Sequence, residues 1–481
     1  MSTRTTTLYW HDYETWGAEP ARDRAAQFAG MRTDLDFNPI GEPLVIYSQP
    51  ADDMLPQPGA CMVTGISPQR AQAEGMPEAD FFRFIHAEMA QPGTCSLGYN
   101  SLRFDDEVTR YGLYRNFFDP YAREWKNGNS RWDMIDVVRL TRALRPEGIE
   151  WPQKDDGVTS FRLEDLTAAN GIEHSGAHDA LADVHATIAI ARLVRKQQPR
   201  LYDYVFNHRD KHSLAALLHV ASEKPVLHVS ARYPARLGCL AAVIPIAAHP
   251  KNRNSVIVYD LRFDPMPLIE LEVERLRERL YTRREDLPEG VERIPIKEIH
   301  INKAPVVVPM STLTEQARDE WQMDSLAEQR HLETLLRHRE QVQKKLMVLY
   351  SQQDFPASSD PDLDLYGGFL SDADRGRCDR VRAMSPEQLA GFEADFDAPK
   401  LNEMLFRYRA RNWPEALTPS EQARWNDYRR HRLTDPEGGS SIKLDDYRRE
   451  LSKLAVDTQL APDRRRVVDE LLDWPAVIGL D

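Results

Sequence analysis

Cysteine is scarce in this chain: Cys61, Cys95, Cys239 and Cys378 are the only four among 481 residues. None forms a Cys-x-x-Cys pair. Neither a zinc site nor a disulfide framework is indicated, and each reads as a small buried hydrophobe. Long apolar runs are also missing: no stretch of about 18 apolar residues occurs, so no transmembrane helix is expected. The opening segment Met1-Ser2-Thr3-Arg4-Thr5-Thr6-Thr7 lacks the apolar run of a secretory signal, and a cytoplasmic location is the expectation. Positive charge is in deficit. Lys and Arg number 62 against 76 Asp and Glu, a net charge of −14. This speaks against a broadly basic surface made for nucleic acid. Net charge is an average, however, and carboxylates that bind metal count as negative here although their ions partly cancel them. No fixed-period repeat or low-complexity tract is present.

What the chain does have is length enough for two to four domains. Residues 1 to about 195 alternate between strand-like and helix-like patterns. Strands are expected at 6–11, 43–47, 94–100 and 132–138, and helices at 78–90, 105–118 and 179–195. In the last, Leu181, Val184, Ile188 and Ala191 recur at helical spacing. A mixed sheet flanked by helices follows. From about 200 to 350, short β-branched runs at 224–230, 240–245, 254–260 and 304–309 suggest a small β-rich unit, with helices at 268–282 and 325–350. The polar, proline-bearing stretch Asp354–Pro361 reads as a boundary. Beyond it the pattern is helical at 371–383, 386–394, 399–410, 419–433, 442–457 and 462–473.

Three short stretches carry the chemistry. Asp12 and Glu14 stand two apart on a strand, so both carboxylates leave the same face. Side by side they repel, and a divalent cation resolves the conflict. Asp105 stands at the expected start of a helix, where a carboxylate also complements the helix dipole. Asp183 lies one place from the apolar stripe of a helix, a costly position for a carboxylate unless it is paired or metal-bound. His178 precedes that helix beside Gly176 and Ala177, and imidazole suits proton pickup near neutral pH. Singly, each has an ordinary structural explanation; together they supply four carboxylates and a base, the inventory for metal-assisted phosphodiester hydrolysis.

The order Asp-x-Glu, Asp, His-x4-Asp resembles the histidine subclass of the DEDD superfamily of 3′→5′ exonucleases. The resemblance narrows along the chain. His11–Thr15, Leu55–Ala60, Thr64–Ile66, Gly98–Asn100, Arg103–Arg110, Ala143–Ile149, Ser160–Glu164 and Ala169–Ser175 are similar to bacterial exonuclease I. So are the later segments His249–Asn254, Arg277–Thr282, His300–Lys303, Ser371–Arg375 and Tyr408–Asn412. The similarity thins after about 415. It implies a ribonuclease-H-like α/β exonuclease domain with a mixed sheet (1–198), a small SH3-like β-barrel domain with helical insertions (199–353) and an α-helical C-terminal domain (354–481), C-shaped overall. It implies processive 3′→5′ degradation of single-stranded DNA to 5′-mononucleotides, in DNA repair, recombination and mismatch repair, by a monomer.

The same resemblance implies two Mg²⁺ ions, with Mn²⁺ as a substitute, about 3.5–4 Å apart. Asp12, Glu14 and Asp183 would be direct ligands, Asp105 a ligand through water, and His178 the general base; Glu14 would also touch the terminal 3′-hydroxyl. Strand binding needs cations for phosphates and aromatic faces for bases. Arg110, Tyr121, Trp125, Arg139 and Arg162 are candidates, with Lys211 and Asn254 from the β-rich part. Thr64, Gly65 and Ile66 could lie against the terminal nucleotide or form a simple turn. The family binds the acidic C-terminal tail of single-stranded-DNA-binding protein, for which Arg145, Tyr204 and Lys224 are candidates. Two other readings stand beside this one: a proofreading or oligoribonuclease-like enzyme on the same scaffold, and an inactive module that tethers DNA. The added domains weigh against the first, and the complete acidic set against the second.

Overall fold

The computed structural model describes residues 6–174, 176, 178–352 and 358–480. Met1–Thr5, Ser175, Ala177 and the boundary positions 354–357 lie outside the described residues. The chain forms two compact units: Met1–Ser130 with His174–Ile188 and Pro356–Asp481, and Arg131–Glu173 with Ala189–Phe355.

The first sheet consists of β1 (Thr7–Thr15), β2 (Ala25–Thr33), β3 (Leu44–Tyr47), β4 (Thr94–Gly98) and β5 (Ser130–Asp133), in the order β3-β2-β1-β4-β5. β1 runs antiparallel to β2 and parallel to β4, so the sheet is mixed as expected. Alternation along β1 decides what each face meets. Tyr9 and Tyr13 enter an apolar cluster with Phe28, Phe81, Phe82, Ile85, Val108 and Leu113, drawn from β2 and the helices Glu78–Met89 and Asp105–Arg115. Trp10, Asp12 and Glu14 leave the other face. β2, buried at every position, has no expected counterpart: Ala25-Ala26-Gln27-Phe28-Ala29-Gly30 lacks the polar–apolar alternation of a half-buried strand. The expectation of a strand over 132–138 needs correction. The strand ends at Asp133, whose side chain caps the helix Met134–Leu144 by accepting the Ile135 amide at 3.1 Å. Val137, Val138 and Leu140 are buried on that helix; β-branched residues in sequence had masked its helical spacing.

The C-terminal segment contributes the helices Asp372–Ala383, Pro386–Leu389, Pro399–Asn412, Pro419–Thr434, Leu444–Ala455 and Pro462–Val477. They share two apolar cores with the first 130 residues. One joins Trp16, Leu55, Cys61 and Ile66 to Tyr447, Val468, Leu471 and Trp474; the other joins Tyr111, Tyr114 and Phe117 to Leu389, Phe396, Met404 and Tyr408. Between these cores runs a buried ion network. Arg24 Nη1 meets Asp53 Oδ1 at 2.9 Å, Arg411 Nη2 meets Asp53 Oδ2 at 2.8 Å, and Arg407 Nη1 meets Asp362 Oδ2 at 2.9 Å. Arg411 also pairs with Asp362. Burial alone would raise the Asp53 carboxyl, but Arg24, Arg411 and Arg432 together hold it well below the usual carboxylate range.

In the second unit, β6 (Val226–Val229), β7 (Leu240–Ala248), β8 (Ser255–Asp260), β9 (Ile296–His300) and β10 (Val307–Pro309) form an antiparallel sheet in the order β10-β6-β7-β8-β9. Four of these follow the β-branched runs; β9, with Lys297 and Glu298 inside it, does not. The helices expected at 268–282 and 325–350 are each interrupted, giving Met266–Glu270 with Val273–Tyr281, and Ser325–Arg337 with Arg339–Ser351. Leu214, Val226, Val243, Val258 and Ile299 form the centre of this unit's core.

Asp53→Ala strands three guanidinium groups in the interior. It is expected to cost about 3–5 kcal/mol of stability, measured by urea unfolding. An Asp53→Ala protein as stable as the parent would remove the network from the account of how these segments hold together.

Candidate active site

Asp12 and Glu14 stand on the exit end of β1, and Gln27 is the cross-strand neighbour of Glu14. The register shifts between Glu14 and Thr15, a bulge that ends regular pairing at the carboxylates. Gln27 is buried and works as a clamp. Its Oε1 accepts the Ala180 amide at 3.3 Å, and its Nε2 donates to Asp179 Oδ2 at 3.3 Å and to Tyr47 Oη at 3.0 Å. These bonds dock the first turn of the helix Ala180–Gln197 on β2. Asp179 also accepts the Leu181 and Ala182 amides, as an N-terminal carboxylate should.

Asp183 follows on that first turn, and the helix thereby carries it to β1. One ligand atom from each of Asp12, Glu14 and Asp183 lies within 4.8 Å of the others. Asp105, buried at the start of its helix, accepts the Tyr13 amide through Oδ1 at 3.1 Å and so stands beside the same strand. His178 occupies the turn ahead of the Ala180 helix, half-buried and with φ 70°. A left-handed backbone at a non-glycine residue is strained by about 1–2 kcal/mol and is common at functional sites. His11, the histidine of the opening motif, points to the strand face opposite Asp12 and Glu14, near Tyr13 and Phe28, where burial first of all lowers it to about 4.

The electrostatics match that crowding. Burial, then the carboxylates of Asp183, Asp105 and Asp179, raise Glu14 to about 9. Asp12 is raised well above the carboxylate range by burial and then by Asp105, Glu14, Asp183 and Asp179. Oxygen donors this close, with negative charge this poorly tolerated, fit a hard divalent cation. One residue that sequence reasoning passed over joins them: His174 Nε2 lies 2.6 Å from Asp183 Oδ1. It sits inside Ala169–Ser175, but nothing in its spacing tied it to the acidic set.

The proposed strand-binding residues fall into different settings. Arg110 is buried, its guanidinium against Glu124 at 2.7 Å and Glu107 at 2.7 Å and over the Tyr121 ring at 5.4 Å. Tyr121 lies near Tyr366 and Phe369, both ring centroids at 6.5 Å. Phe369 is 88 % exposed and Trp125 63 %. These C-terminal aromatics were missed because they lie outside the quoted motifs. Thr64 ends the helix Pro58–Thr64, Gly65 takes φ 74° as its cap, and Ile66 is buried. Their turn is held by Arg464, whose Nη2 donates to Val63 O at 3.1 Å and whose guanidinium fills the space a Gly65 side chain would need. In the second unit, Arg139 is buried and bonded to Asp136 at 2.6 Å, while the side chain of Arg162 is 67 % exposed. Lys211 is exposed at the start of a helix and Asn254 is half-buried beside β8. Arg145 caps Met134–Leu144, Tyr204 stacks on His208 with centroids 4.0 Å apart, and Lys224 is exposed ahead of β6.

A mixed five-stranded sheet with acidic residues converging from β1 and a docked helix defines a ribonuclease-H-like exonuclease. Residues 9–191 match the family model described as Exonuclease, 209–352 the Exonuclease I SH3-like domain and 359–478 the Exonuclease I C-terminal domain. The chain is 50 % identical over 464 residues to exodeoxyribonuclease I of Escherichia coli K12, covering 96 % of this chain and 95 % of that protein. Its fold is similar to a moderately thermophilic exonuclease I from Methylocaldum szegediense, at TM-score 0.94 and 51 % identity over 99 % of this chain and all of that one. It is also similar to the zinc-bound E. coli exonuclease I–single-stranded DNA complex, at TM-score 0.92 and 46 % identity, covering 99 % of this chain and 100 % of that one. The chain belongs to the exonuclease I family.

Because folding raises Glu14 from its ordinary 4.5 to about 9, the metal-free folded state holds protons that the unfolded chain releases. Stability in chelator therefore falls as pH rises from about 4.5 to about 9. Glu14→Gln removes the proton uptake that folding demands of this carboxyl and should raise the metal-free melting temperature near pH 8 by at least about 2–4 °C. Scanning fluorimetry in EDTA across pH checks both the slope and its loss in the variant; a flat parent profile contradicts the repulsion.

Proposed function

We propose that this enzyme removes nucleotides processively from the 3′ end of single-stranded DNA, releasing 5′-mononucleotides with two Mg²⁺ ions bound at Asp12, Glu14, Asp183 and Asp105. The observation that carries it is the convergence of Asp12, Glu14 and Asp183, in a chain whose full length follows the exonuclease I pattern. On this reading the chain is a cytoplasmic monomer in three sequence domains, 1–198, 199–353 and 354–481.

Bound divalent ions would supply Lewis acidity at the scissile phosphate and lower the pKa of the attacking water. The residues do the rest. Asp12 and Glu14 share a rigid strand and Asp183 a clamped helix, so the donors are fixed before a cation arrives and little reorganisation is left to the reaction. His178 accepts the proton of the attacking water from a turn at the edge of the site. Glu14 faces the terminal 3′-hydroxyl, which restricts the enzyme to chain ends. Exposed Trp125, with Tyr121, offers ring faces to successive bases, a sequence-tolerant contact. Arg162 is the exposed cation assigned to phosphate near the cut, with Thr64–Ile66 at the terminal nucleotide. Lys211 and Asn254 are further residues assigned to the strand. The buried Arg110 and Arg139 serve by holding neighbours: Arg110 backs the Tyr121 ring, and Arg139 lies 5.7 Å from the Phe161 ring beside Arg162. Arg145, Tyr204 and Lys224 are assigned to the acidic tail of a single-stranded-DNA-binding protein.

End-labelled single-stranded DNA, duplex DNA and RNA, incubated with Mg²⁺ and then with chelator, test the proposal. The expected outcome is stepwise loss from the 3′ end of single-stranded DNA, stopped by chelator; internal cuts or no cuts reject it. His178→Ala should lower turnover about 10²–10⁴-fold while binding of labelled DNA, followed by anisotropy in chelator, stays unchanged. Near-parental turnover would remove His178 as the base.

A further inference from the structure

His174 is hydrogen-bonded to an acidic residue of the converging set. Its Nε2 lies 2.6 Å from Asp183 Oδ1, and its side chain is 6 % exposed against 19 % for Asp183. An ionised carboxylate only accepts, so the imidazole N–H is the donor. The separation is that of a short, charge-assisted bond, and it lies in a setting largely closed to solvent, where such a bond is strong.

The geometry gives this bond a task. Asp183 must present an oxygen to the place where Asp12 and Glu14 present theirs, within 4.8 Å. Gln27 fixes the helix backbone beneath Asp183 through the Ala180 amide and Asp179, and its bonds do not reach the Asp183 side chain. Rotation about either side-chain torsion would swing the oxygens out of the cluster, and repulsion from Asp12 and Glu14 drives the carboxylate that way. A buried imidazole bonded to one oxygen opposes that rotation. It also removes part of the negative charge that the cluster must tolerate before a cation enters.

We propose that His174 is a positioning residue: it locks the Asp183 carboxylate in its metal-facing orientation and thereby sets the affinity of the site for divalent cations. The inference rests on the reading of Asp183 as a metal ligand. His174 and His178 then divide the work. His174 is committed to Asp183 in a nearly closed pocket, and His178 stands in the turn beyond as the proton acceptor.

Mn²⁺ binding to the full-length protein without DNA, measured by calorimetry, separates the possibilities. His174→Ala is expected to raise the Mn²⁺ dissociation constant about tenfold or more. His174→Gln, which keeps an N–H donor, should stay within a few-fold of the parent. Melting in EDTA reports whether either variant is folded. Turnover of His174→Ala should approach the parental value once Mg²⁺ is saturating, unlike that of His178→Ala. Parental or tighter Mn²⁺ binding by His174→Ala overturns the proposal, the tighter case making His174 a competitor of the metal. Equal weakening by Ala and Gln also overturns it, because packing and not the hydrogen bond would then be responsible. Asp183→Asn is the control for the underlying reading: parental Mn²⁺ binding by that variant refutes Asp183 as a ligand, whatever His174 does.

Discussion

Mutual repulsion among buried carboxylates is the constraint around which this structure is arranged. Asp12, Glu14, Asp105 and Asp183 crowd one end of β1, and burial makes each charge harder to hold. No packing gain is available from such a cluster. The folding energy of the surrounding scaffold keeps it together, and a divalent cation bound there would convert the repulsion into binding energy. A site of this kind is destabilised when empty for the same reason that it binds cations strongly when filled.

The scaffold holds the cluster from three directions. β1 gives Asp12 and Glu14 a common face, and the bulge after Glu14 ends the ladder there. Gln27, one strand over, clamps the helix that carries Asp183. The helix bearing Asp105 is anchored through Tyr13, whose amide is bonded by Asp105 and whose hydroxyl lies 2.9 Å from Thr109 Oγ1. Further out, C-terminal helices share apolar cores with the segments flanking β1, and the Arg24–Asp53–Arg411–Asp362 network fixes their register. Apolar packing is tolerant of small slides; buried ion pairs are not, because each misaligned charge is left unpaired.

The acidic set was legible as a set because its order along the chain resembles that of a known exonuclease family, and spacing supports parts of it. Two carboxylates two apart on a strand share a face in any sheet, and a histidine just ahead of a helix bearing an aspartate fixes both near one helix end. The mixed sheet and the β-rich unit were legible from hydrophobic pattern. What was not legible depended on contacts between distant residues. β2 is buried on both faces and shows no alternation. Met134–Leu144 hides its helix behind β-branched residues until Asp133 is seen to cap it. His174 acquires a role only once the chain folds it against Asp183, and Arg110 looks like a free cation until Glu124 and Glu107 surround it. Tyr366 and Phe369 lie far from Tyr121 in sequence and meet it only through the C-terminal segment.

The fate of the arginines also reconciles an acidic chain with a nucleic-acid substrate on the proposed reading. Arg24, Arg110, Arg407, Arg411 and Arg432 are spent inside the first unit, bonded to carboxylates. They confer structure and add little field outside. What that unit presents near Tyr121 is aromatic: Trp125 and Phe369 stand open to solvent. Ring faces accept any base and contribute about 1–3 kcal/mol each, without the dense positive charge that would hold a strand in one register by its phosphates. An enzyme that must advance its substrate by one nucleotide after every cut without letting it go is better served by contacts that are strong in sum and interchangeable from one base to the next. On that reading the net charge of −14 is no obstacle, because ring faces would grip the strand without a dense positive field.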